Sequence, residues 1–265
     1  MIGDAPPDPR TSASRGHTRP GTTFDPPAGA SRRLAAARGT ADRAGPAARL
    51  EPAQLLYGRL LASAAAGAEP GLARVRIAGG PAQKLPLERW LAPVDVADRA
   101  VLAHATGPVL DIGCGPGRHL AALAALGYDG LGLDLSPVAV RIARARGAEA
   151  ILRSVFADVP RAGRWATALL LDGNVGIGGA PAALLARARG LVAPGGSVLV
   201  ETAPPGAPTR RVRVRLESAD SVSPWFGWAT VGADGIGPLA RDAGLVLRET
   251  FTVGARTFAR LERPR

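Results

Sequence analysis

The sequence predicts an α/β fold, namely a doubly wound sheet of about seven strands that is flanked by helices and ends in a C-terminal antiparallel hairpin. Short apolar segments alternate with amphipathic segments between residues 109 and 202. Segments such as 166–171 are almost entirely apolar, which is typical of parallel strands covered by helices on both faces. A glycine-rich turn follows the first strand. These observations together favour one sizeable parallel sheet.

Each element is predicted by its own apolar spacing. Leucines at helical spacing predict a helix over 51–67, and 86–104 is expected to be helical in two pieces broken at Pro93, with Asp95 as an N-cap. Strands are expected over 109–112, 130–135, 150–155, 166–171 and 197–202, and helices over 118–126, 137–146 and 180–191. Further on, extended segments are expected over 211–217 and 222–231, a helix over 233–243, and a hairpin from 245–253 and 256–261.

Three regions differ in composition. Residues 1–50 are rich in Pro, Gly and Arg and contain Phe24 as their only aromatic residue. Such a segment buries too little apolar area to offset its ordering entropy, so it is expected to be a disordered arm. Residues 51–106 are expected to form a helical cap, and residues 107–265 the main domain.

Charge and composition limit the function classes. The net charge is +11, but Lys84 is the only lysine and the arginines are scattered rather than clustered, so nucleic-acid binding is not the favoured interpretation. Cys114 is the only cysteine and the three histidines lack ligand spacing, so no metal site is expected. No apolar run reaches the roughly 18–20 residues that span a bilayer. A cytoplasmic protein without a membrane partner is therefore expected.

The turn after the first strand contains the residues that indicate ligand binding. Its sequence places Asp111 before Gly113, Gly115 and Gly117, and a helix follows. Glycines let the backbone turn sharply and approach a ligand closely. A dinucleotide fingerprint would require a glycine where Arg118 stands, and a phosphate-binding P-loop would require Gly-Lys-Ser/Thr, which is absent.

The pattern resembles the D-x-G-x-G-x-G loop of class I S-adenosylmethionine-dependent methyltransferases, which have a Rossmann-like fold. The resemblance implies that S-adenosylmethionine is the cofactor and S-adenosylhomocysteine the product. In that family the first acid faces the methionine end of the cofactor and the acid after the second strand, here Asp134, binds the ribose. The cofactor-binding residues implied are Asp111, Gly113, Cys114, Gly115, Gly117, Asp134, Leu135, Phe156, Asp158 and Asp172. Two alternatives stay open: Asp134 caps the following helix, and Asp158 is only a turn residue.

The sequence indicates less clearly which residues would contact the methyl acceptor. Asn174 lies in a glycine-rich loop at the carboxyl end of a strand, and Glu201 lies at the end of the next strand, where it is a candidate general base. Trp225 and Trp228 either form an apolar wall for a substrate or pack their segment onto the domain.

These residues favour methyl transfer to an O, N or C atom of a small molecule. The Asn174 loop lacks the [DN]-P-P-[YF] motif of enzymes that methylate nucleobase or glutamine nitrogens. Two alternatives remain: an RNA or protein methyltransferase that uses the basic arm, and a non-catalytic domain that binds the cofactor.

Overall fold

The computed structural model describes residues 49–67 and 73–265, so the predicted disordered arm lies outside the described residues except for its last two positions. Its strands are β1 (Arg49–Leu50), β2 (Arg74–Ile77), β3 (Ala82–Lys84), β4 (Val109–Ile112), β5 (Gly130–Asp134), β6 (Ala150–Leu152), β7 (Trp165–Leu170), β8 (Val192–Thr202), β9 (Arg210–Glu217), β10 (Ser221–Val222), β11 (Phe226–Thr230), β12 (Val246–Val253) and β13 (Arg256–Glu262). Its helices are α1 (Ala53–Ala65), α2 (Leu87–Leu91), α3 (Val96–Leu102), α4 (Arg118–Ala125), α5 (Pro137–Ala145), α6 (Pro181–Leu191) and α7 (Ala233–Asp242).

The main sheet has seven strands in the order β12-β13-β8-β7-β4-β5-β6. Strands β8, β7, β4, β5 and β6 are parallel neighbours, whereas β13 pairs antiparallel with β8 and with β12. The order reverses beside β4, and ligands of open α/β sheets bind beyond the carboxyl strand ends at such a point. The predicted fold class, including the terminal hairpin, is confirmed.

Strand β4 is buried on both faces, as the apolar patterning predicts. Leu110 and Ile112 belong to a core cluster with side chains of α6 and α7, while Val109 belongs to a second cluster with side chains of α3 and α4. At about 25 cal/mol for each Å² of apolar surface removed from water, these two layers dominate the stability of the domain. The sheet therefore provides a rigid support for the loops at its carboxyl edge.

Local signals place the helices at that edge. Asp95 caps α3, as predicted, because its side chain accepts a hydrogen bond from the backbone N–H of Asp98. The side chain of Asp98 in turn accepts from the backbone N–H of Asp95. Helix α5 begins with Pro137 in its first turn and is capped by Ser136, whose hydroxyl accepts from the backbone N–H of Ala139.

A second sheet was not predicted. It has six strands, in the order β1-β10-β9-β2-β3 with β11 also paired to β9. The segment 51–106 was expected to be a helical cap, yet it contains the β2–β3 hairpin as well as three helices. Strand β2 has only four residues, too few for their alternation of arginine and apolar side chains to predict a strand, and its pairing partner β9 lies far along the chain.

Helix α1 connects the two sheets. Its buried face, which includes Leu56, Leu60 and Leu61, packs in one cluster with Ala139 of α5 and Leu216 of β9. None of the helices within 49–67 and 73–265 combines the length and the apolar character needed to cross a membrane.

Candidate functional site

The glycine-rich loop between β4 and α4 has three glycines with positive φ, and each meets a different neighbour. A Cβ on Gly113 would lie 2.7 Å from the amide nitrogen of Asn174, and a Cβ on Gly117 would lie 2.7 Å from the Cβ of Ala143 in α5. At Gly115 the φ is 53°, and among the described residues the only atom within 4 Å of an added Cβ is the hydroxyl oxygen of Tyr57, at 3.2 Å. Gly113 and Gly117 therefore serve packing, while Gly115 leaves space above the loop.

Asp111 is a buried acid beneath this loop. It is 1% exposed, and its Oδ2 atom accepts no hydrogen bond from any residue that the structure describes. The Nδ1 atom of His119 lies 3.7 Å from this oxygen, which is beyond hydrogen-bond distance. A buried carboxylate oxygen without a donor is costly, so Asp111 has spare capacity for a cationic or hydrogen-donating ligand.

Asp134 ends β5 and faces the same loop. Its Oδ2 accepts from the backbone N–H of Gly115 at 2.9 Å, and its Oδ1 accepts from that of Ser136 at 2.7 Å. Burial raises the pKa of Asp134 above its ordinary value, while the bonds from Ser136 and Gly115 oppose that rise. Because Ser136 caps α5, the alternative in which Asp134 is the helix cap is wrong.

An exposed apolar surface adjoins Asp134. Leu135, Leu152 and Phe156 follow or end β5 and β6 and are 49%, 53% and 51% exposed. Large exposed apolar side chains grouped in one place are typical of a ligand or partner surface. Asp158 is also exposed, and within the part of the chain that the structure describes only its backbone carbonyl has a partner, Nη1 of Arg153 at 2.8 Å. Leu152 was not among the predicted site residues.

Tyr57 of α1 lies over Gly115 of the loop and Trp90 of α2 packs against Tyr57, and sequence reasoning missed both residues. The Tyr57 ring lies edge-on to Trp90 with 6.0 Å between the ring centres. Burial raises the pKa of Tyr57 well above its ordinary value, and the nearby charges of Asp134 and Asp172 add to the rise. Tyr57 therefore keeps its proton and is a hydrogen-bond donor. The Nε1–H of Trp90 is buried and has no acceptor among the described residues.

Asp172 follows β7 and is held by arginines from three separate elements. Its carboxylate binds Arg89 of α2, and both of its oxygens accept from Nη2 of Arg118 in α4 at 3.0 Å. Nη2 of Arg256 in β13 lies 3.6 Å away. Burial alone would raise the pKa of Asp172, but the charges of His119, Arg118 and Arg89 outweigh it and lower that pKa. Because its carboxylate is bound by arginines of other elements, Asp172 is better suited to position those elements than to bind the cofactor directly.

Glu201 belongs to the same ionic network. Its two oxygens accept from Nε and Nη2 of Arg256, at 2.8 and 2.7 Å, and Oε2 also accepts from the backbone N–H of Asp172 at 2.7 Å. Taking up a proton would disrupt this pairing, which makes Glu201 a poor general base. The contacts therefore disfavour the catalytic role expected from its position at a strand end.

Asp98 of α3 also belongs to this ionic network. It is completely buried and binds Arg118, Nη1 of Arg256 at 2.7 Å and Nε2 of His119 at 3.3 Å. These contacts tie α3 to α4 and to β13. The network fixes the carboxyl ends of β7 and β8 relative to the glycine-rich loop, because its members come from all of these elements.

Asn174 is occupied by the backbone of the glycine-rich loop. Its side-chain Nδ2 donates to the carbonyl oxygens of Ile112 and Gly113, at 3.0 and 2.9 Å. These bonds leave the side-chain carbonyl as the group that can face a ligand. Asn174 consequently supports the loop, and the catalytic role predicted for it is not favoured by these contacts.

Trp228 in β11 and Trp225 in the segment between β10 and β11 have different surroundings. Trp228 in β11 packs against the loop that follows β7, where a Cβ on Gly176 would lie 2.4 Å from its Nε1 atom. Trp225 lies under the guanidinium of Arg215, which is 4.9 Å from its ring centre. Trp228 thus packs its strand onto the domain, whereas Trp225 stacks on a charged side chain.

The side chain of Cys114 points away from the open side of the loop. A Cβ on Gly132 in β5 would lie 2.5 Å from its sulfur atom, and burial raises the thiol pKa far above its ordinary range. Only the backbone of Cys114 can contribute to the loop surface.

Comparison with known proteins agrees with this geometry. Residues 109–196 match the family model described as a methyltransferase domain. This segment is similar to methyltransferase domains. The matched segment includes the glycine-rich loop, Asp134, the exposed apolar surface and the loop after β7, so the resemblance noted in the sequence is confirmed for these residues.

Solved structures resemble this chain beyond that segment. A SAM-dependent methyltransferase from Bacteroides fragilis, solved with S-adenosyl-L-homocysteine, is 24% identical with a TM-score of 0.68, covering 82% of this chain and 99% of its own. The CcbJ methyltransferase from Streptomyces caelestis is 18% identical with a TM-score of 0.50, covering 66% and 92%. At these identities the likeness establishes the class I fold. No curated protein matches the chain.

Proposed function

We propose that the protein is a class I methyltransferase that uses S-adenosylmethionine to methylate a small molecule. The observation that carries the proposal is the bond between the Gly115 backbone and the Asp134 carboxylate. It brings the glycine-rich loop and the second acid to the same side of the sheet. An acid that both faces this loop and is free of helix capping suits a ribose, as in nucleotide-binding α/β folds.

The described residues fit each part of this cofactor. Asp111 offers an unpaired buried oxygen for the methionine end, directly or through water. Gly115 allows close backbone approach, and Asp134 retains lone pairs on both oxygens for ribose hydroxyls. Leu135, Leu152 and Phe156 offer an apolar surface suited to adenine. When bound, the cofactor supplies an activated methyl group on a sulfonium.

The protein's own contribution is to hold and orient the reactants. Tyr57, protonated over Gly115, can donate a hydrogen bond above the loop and excludes water there. Asp172 and Glu201 position the carboxyl ends of β7 and β8 through Arg256. Because Glu201 is ion-paired, we do not propose it as the general base that removes a proton from the acceptor. An acceptor that needs deprotonation would lose its proton to water or to a group of its own.

A small acceptor is supported by the covered character of the site. The second sheet and helices α1 and α2 lie over the carboxyl edge, and Trp228 fixes β11 against the loop after β7. The solved CcbJ methyltransferase and the Bacteroides fragilis protein share this fold but are too distant to assign an acceptor.

The decisive experiment measures cofactor binding and turnover in the full chain. We expect calorimetry to detect S-adenosylmethionine and S-adenosylhomocysteine, and Asp134→Asn to weaken both by about 10- to 100-fold, because a charge-assisted bond contributes about 1.5–3 kcal/mol. Asp242→Asn, at an exposed position of α7, is the matched control and should bind like the unaltered protein.

Turnover separates an enzyme from a binding domain. Release of S-adenosylhomocysteine in the presence of a panel of small hydroxyl, amine and carbon acceptors would support the proposal. Absence of affinity for either cofactor form, or equal affinity in Asp134→Asn, would refute it. Cofactor binding with no release of product on any acceptor would identify a non-catalytic binding domain instead.

A further inference from the structure

A groove in the second sheet lies outside the site described above. It has a volume of about 410 Å³ and runs between the β2–β3 turn, residues 78–81, and the first residues of β9. Arg210, Arg211 and Arg213 line it together with apolar atoms of Ile77 and Val212. Its volume falls within the range of about 300–1,000 Å³ that is typical of small-molecule sites.

The pairing of β9 creates this groove. Strand β2 pairs with β9 from Arg74 opposite Glu217 to Ile77 opposite Val214, and then turns away. The N–H of Ala78 makes the last bond, to the carbonyl of Arg213 at 2.8 Å. On its other side β9 stays paired with β11 as far as Arg210. The first residues of β9 therefore have an open edge that faces the β2–β3 turn.

The arginines along this edge lack anionic partners. The side chains of Arg210, Arg211 and Arg213 are exposed and make no hydrogen bond or ion pair to any residue in 49–67 or 73–265. The groove lining, within the same residues, contains no acid. Three uncompensated guanidinium groups around one concave surface form a strongly positive site.

The rest of the strand is different. Arg215 and Arg76 both bind Glu217, through bonds of 2.7 Å or less from their Nε atoms. The positive charge of β9 is therefore partly neutralised beyond Arg213, and the arginines without acidic partners are confined to the groove. A continuous single-stranded nucleic acid needs a longer positive track, so this confinement favours a short anion.

We propose that this groove binds a small molecule that carries a diphosphate or two neighbouring phosphate groups. Arg211 and Arg213 leave the same face of the strand, about 6.6 Å apart along it, while Arg210 leaves the opposite face. Guanidinium groups bind phosphate oxygens in pairs of parallel hydrogen bonds, so two spaced forks match two phosphates better than one. This site is separate from the cofactor site and does not depend on the proposed methyl transfer.

The test uses the full chain and inorganic pyrophosphate, which has no adenosine that could enter the cofactor site. We expect calorimetry at low salt to detect binding, and inorganic phosphate to bind more weakly. The double variant Arg211→Gln/Arg213→Gln should weaken pyrophosphate binding by about tenfold or more, because it removes two charge-assisted contacts. Its affinity for S-adenosylhomocysteine and its thermal unfolding should match those of the unaltered protein.

The matched control is Arg141→Gln/Arg241→Gln, which removes two exposed charges from α5 and α7 and leaves the groove intact. This control should retain pyrophosphate affinity. Equal loss in both double variants would mean general charge attraction and would overturn the proposal, as would absence of binding to the unaltered protein. A single-stranded oligonucleotide of about ten residues that binds far more tightly than pyrophosphate, through the same arginines, would also overturn it in favour of a nucleic-acid surface.

Discussion

The two halves of the site are built in different ways. The cofactor half consists of the glycine-rich loop, Asp134 and the apolar surface of Leu135 and Phe156, which come from consecutive segments of the main sheet. The half proposed for the acceptor, called the acceptor half below, consists of α1, α2, the loop after β7 and the second sheet, which come from distant parts of the chain. The cofactor half is thus local in sequence and the acceptor half is not.

The difference shows how each half is stabilised. Backbone bonds such as Gly115 to Asp134 hold the cofactor half, and they need particular residues at particular backbone angles. Side-chain ion pairs that cross between elements, such as Arg89 with Asp172, hold the acceptor half. Substitutions should therefore affect cofactor affinity in the first half and stability in the second.

The largest expected effect is at Asp172. Asp172→Asn would leave buried Arg118 with one carboxylate fewer and should lower the free energy of unfolding by about 3 kcal/mol. Because the folded-state pKa of Asp172 is lowered, its contribution is present above the unfolded pKa of about 3.9 and is lost as the pH falls through the folded value. Denaturant titrations at pH 7 and below pH 4 measure both effects.

The control for this prediction is Asp158→Asn, an exposed acid whose carboxylate has no partner among the described residues. It should change the free energy of unfolding by less than about 0.5 kcal/mol. If Asp172→Asn were equally neutral at pH 7, the network could not be what holds the acceptor half.

A smaller effect is expected at Trp228. Trp228→Ala should remove the packing of β11 against Gly176 and lower the free energy of unfolding by about 2–3 kcal/mol. Trp225→Ala, which loses a stacking contact with Arg215, should cost less than about 1 kcal/mol. Thermal unfolding of the two variants compares them directly, and a larger loss in the Trp225 variant would reverse the assignment of their roles.

An effect on folding smaller than that at Trp228 is expected at Gly115. Gly115→Ala and Gly127→Ala both place a side chain at a positive φ, and each should cost about 1 kcal/mol of stability. No atom of residues 49–67 or 73–265 lies within 4 Å of a Cβ on Gly127, whereas a Cβ on Gly115 would enter the space below Tyr57. Only Gly115→Ala should also weaken S-adenosylhomocysteine binding, by about tenfold. Calorimetry that found equal affinity in both variants would contradict the role given to Gly115.

The sequence was sufficient for the main sheet and the outline of the cofactor half. Apolar runs and intervening helices predicted the seven strands, and Asp95 was recognised as a helix cap from its position alone. Such signals depend on neighbours within a few residues, so they can be read without knowing the fold. The roles of Asp111 and Asp134 as cofactor ligands stay predictions, although the structure removes the helix-cap alternative for Asp134.

The acceptor half could not be predicted in the same way. The pairing of β2 with β9 and the ion pair between Arg89 and Asp172 join residues more than 80 positions apart. Tyr57 sits on a helix whose leucines explain its apolar face, so nothing local distinguishes it from a core residue. The roles of Asn174 and Glu201 were judged from their positions at strand ends, and only their contacts revealed that both are already engaged.

The amide of Asn174 has a consequence for how ligands bind. It joins the loop after β7 to the backbone carbonyls of Ile112 and Gly113, so a ligand that shifts one loop must strain or break bonds to the other. If one ligand contacts the glycine-rich loop and a second contacts the loop after β7, each should change the affinity of the protein for the other. Thermodynamic linkage requires that the factor be the same whichever ligand is added first.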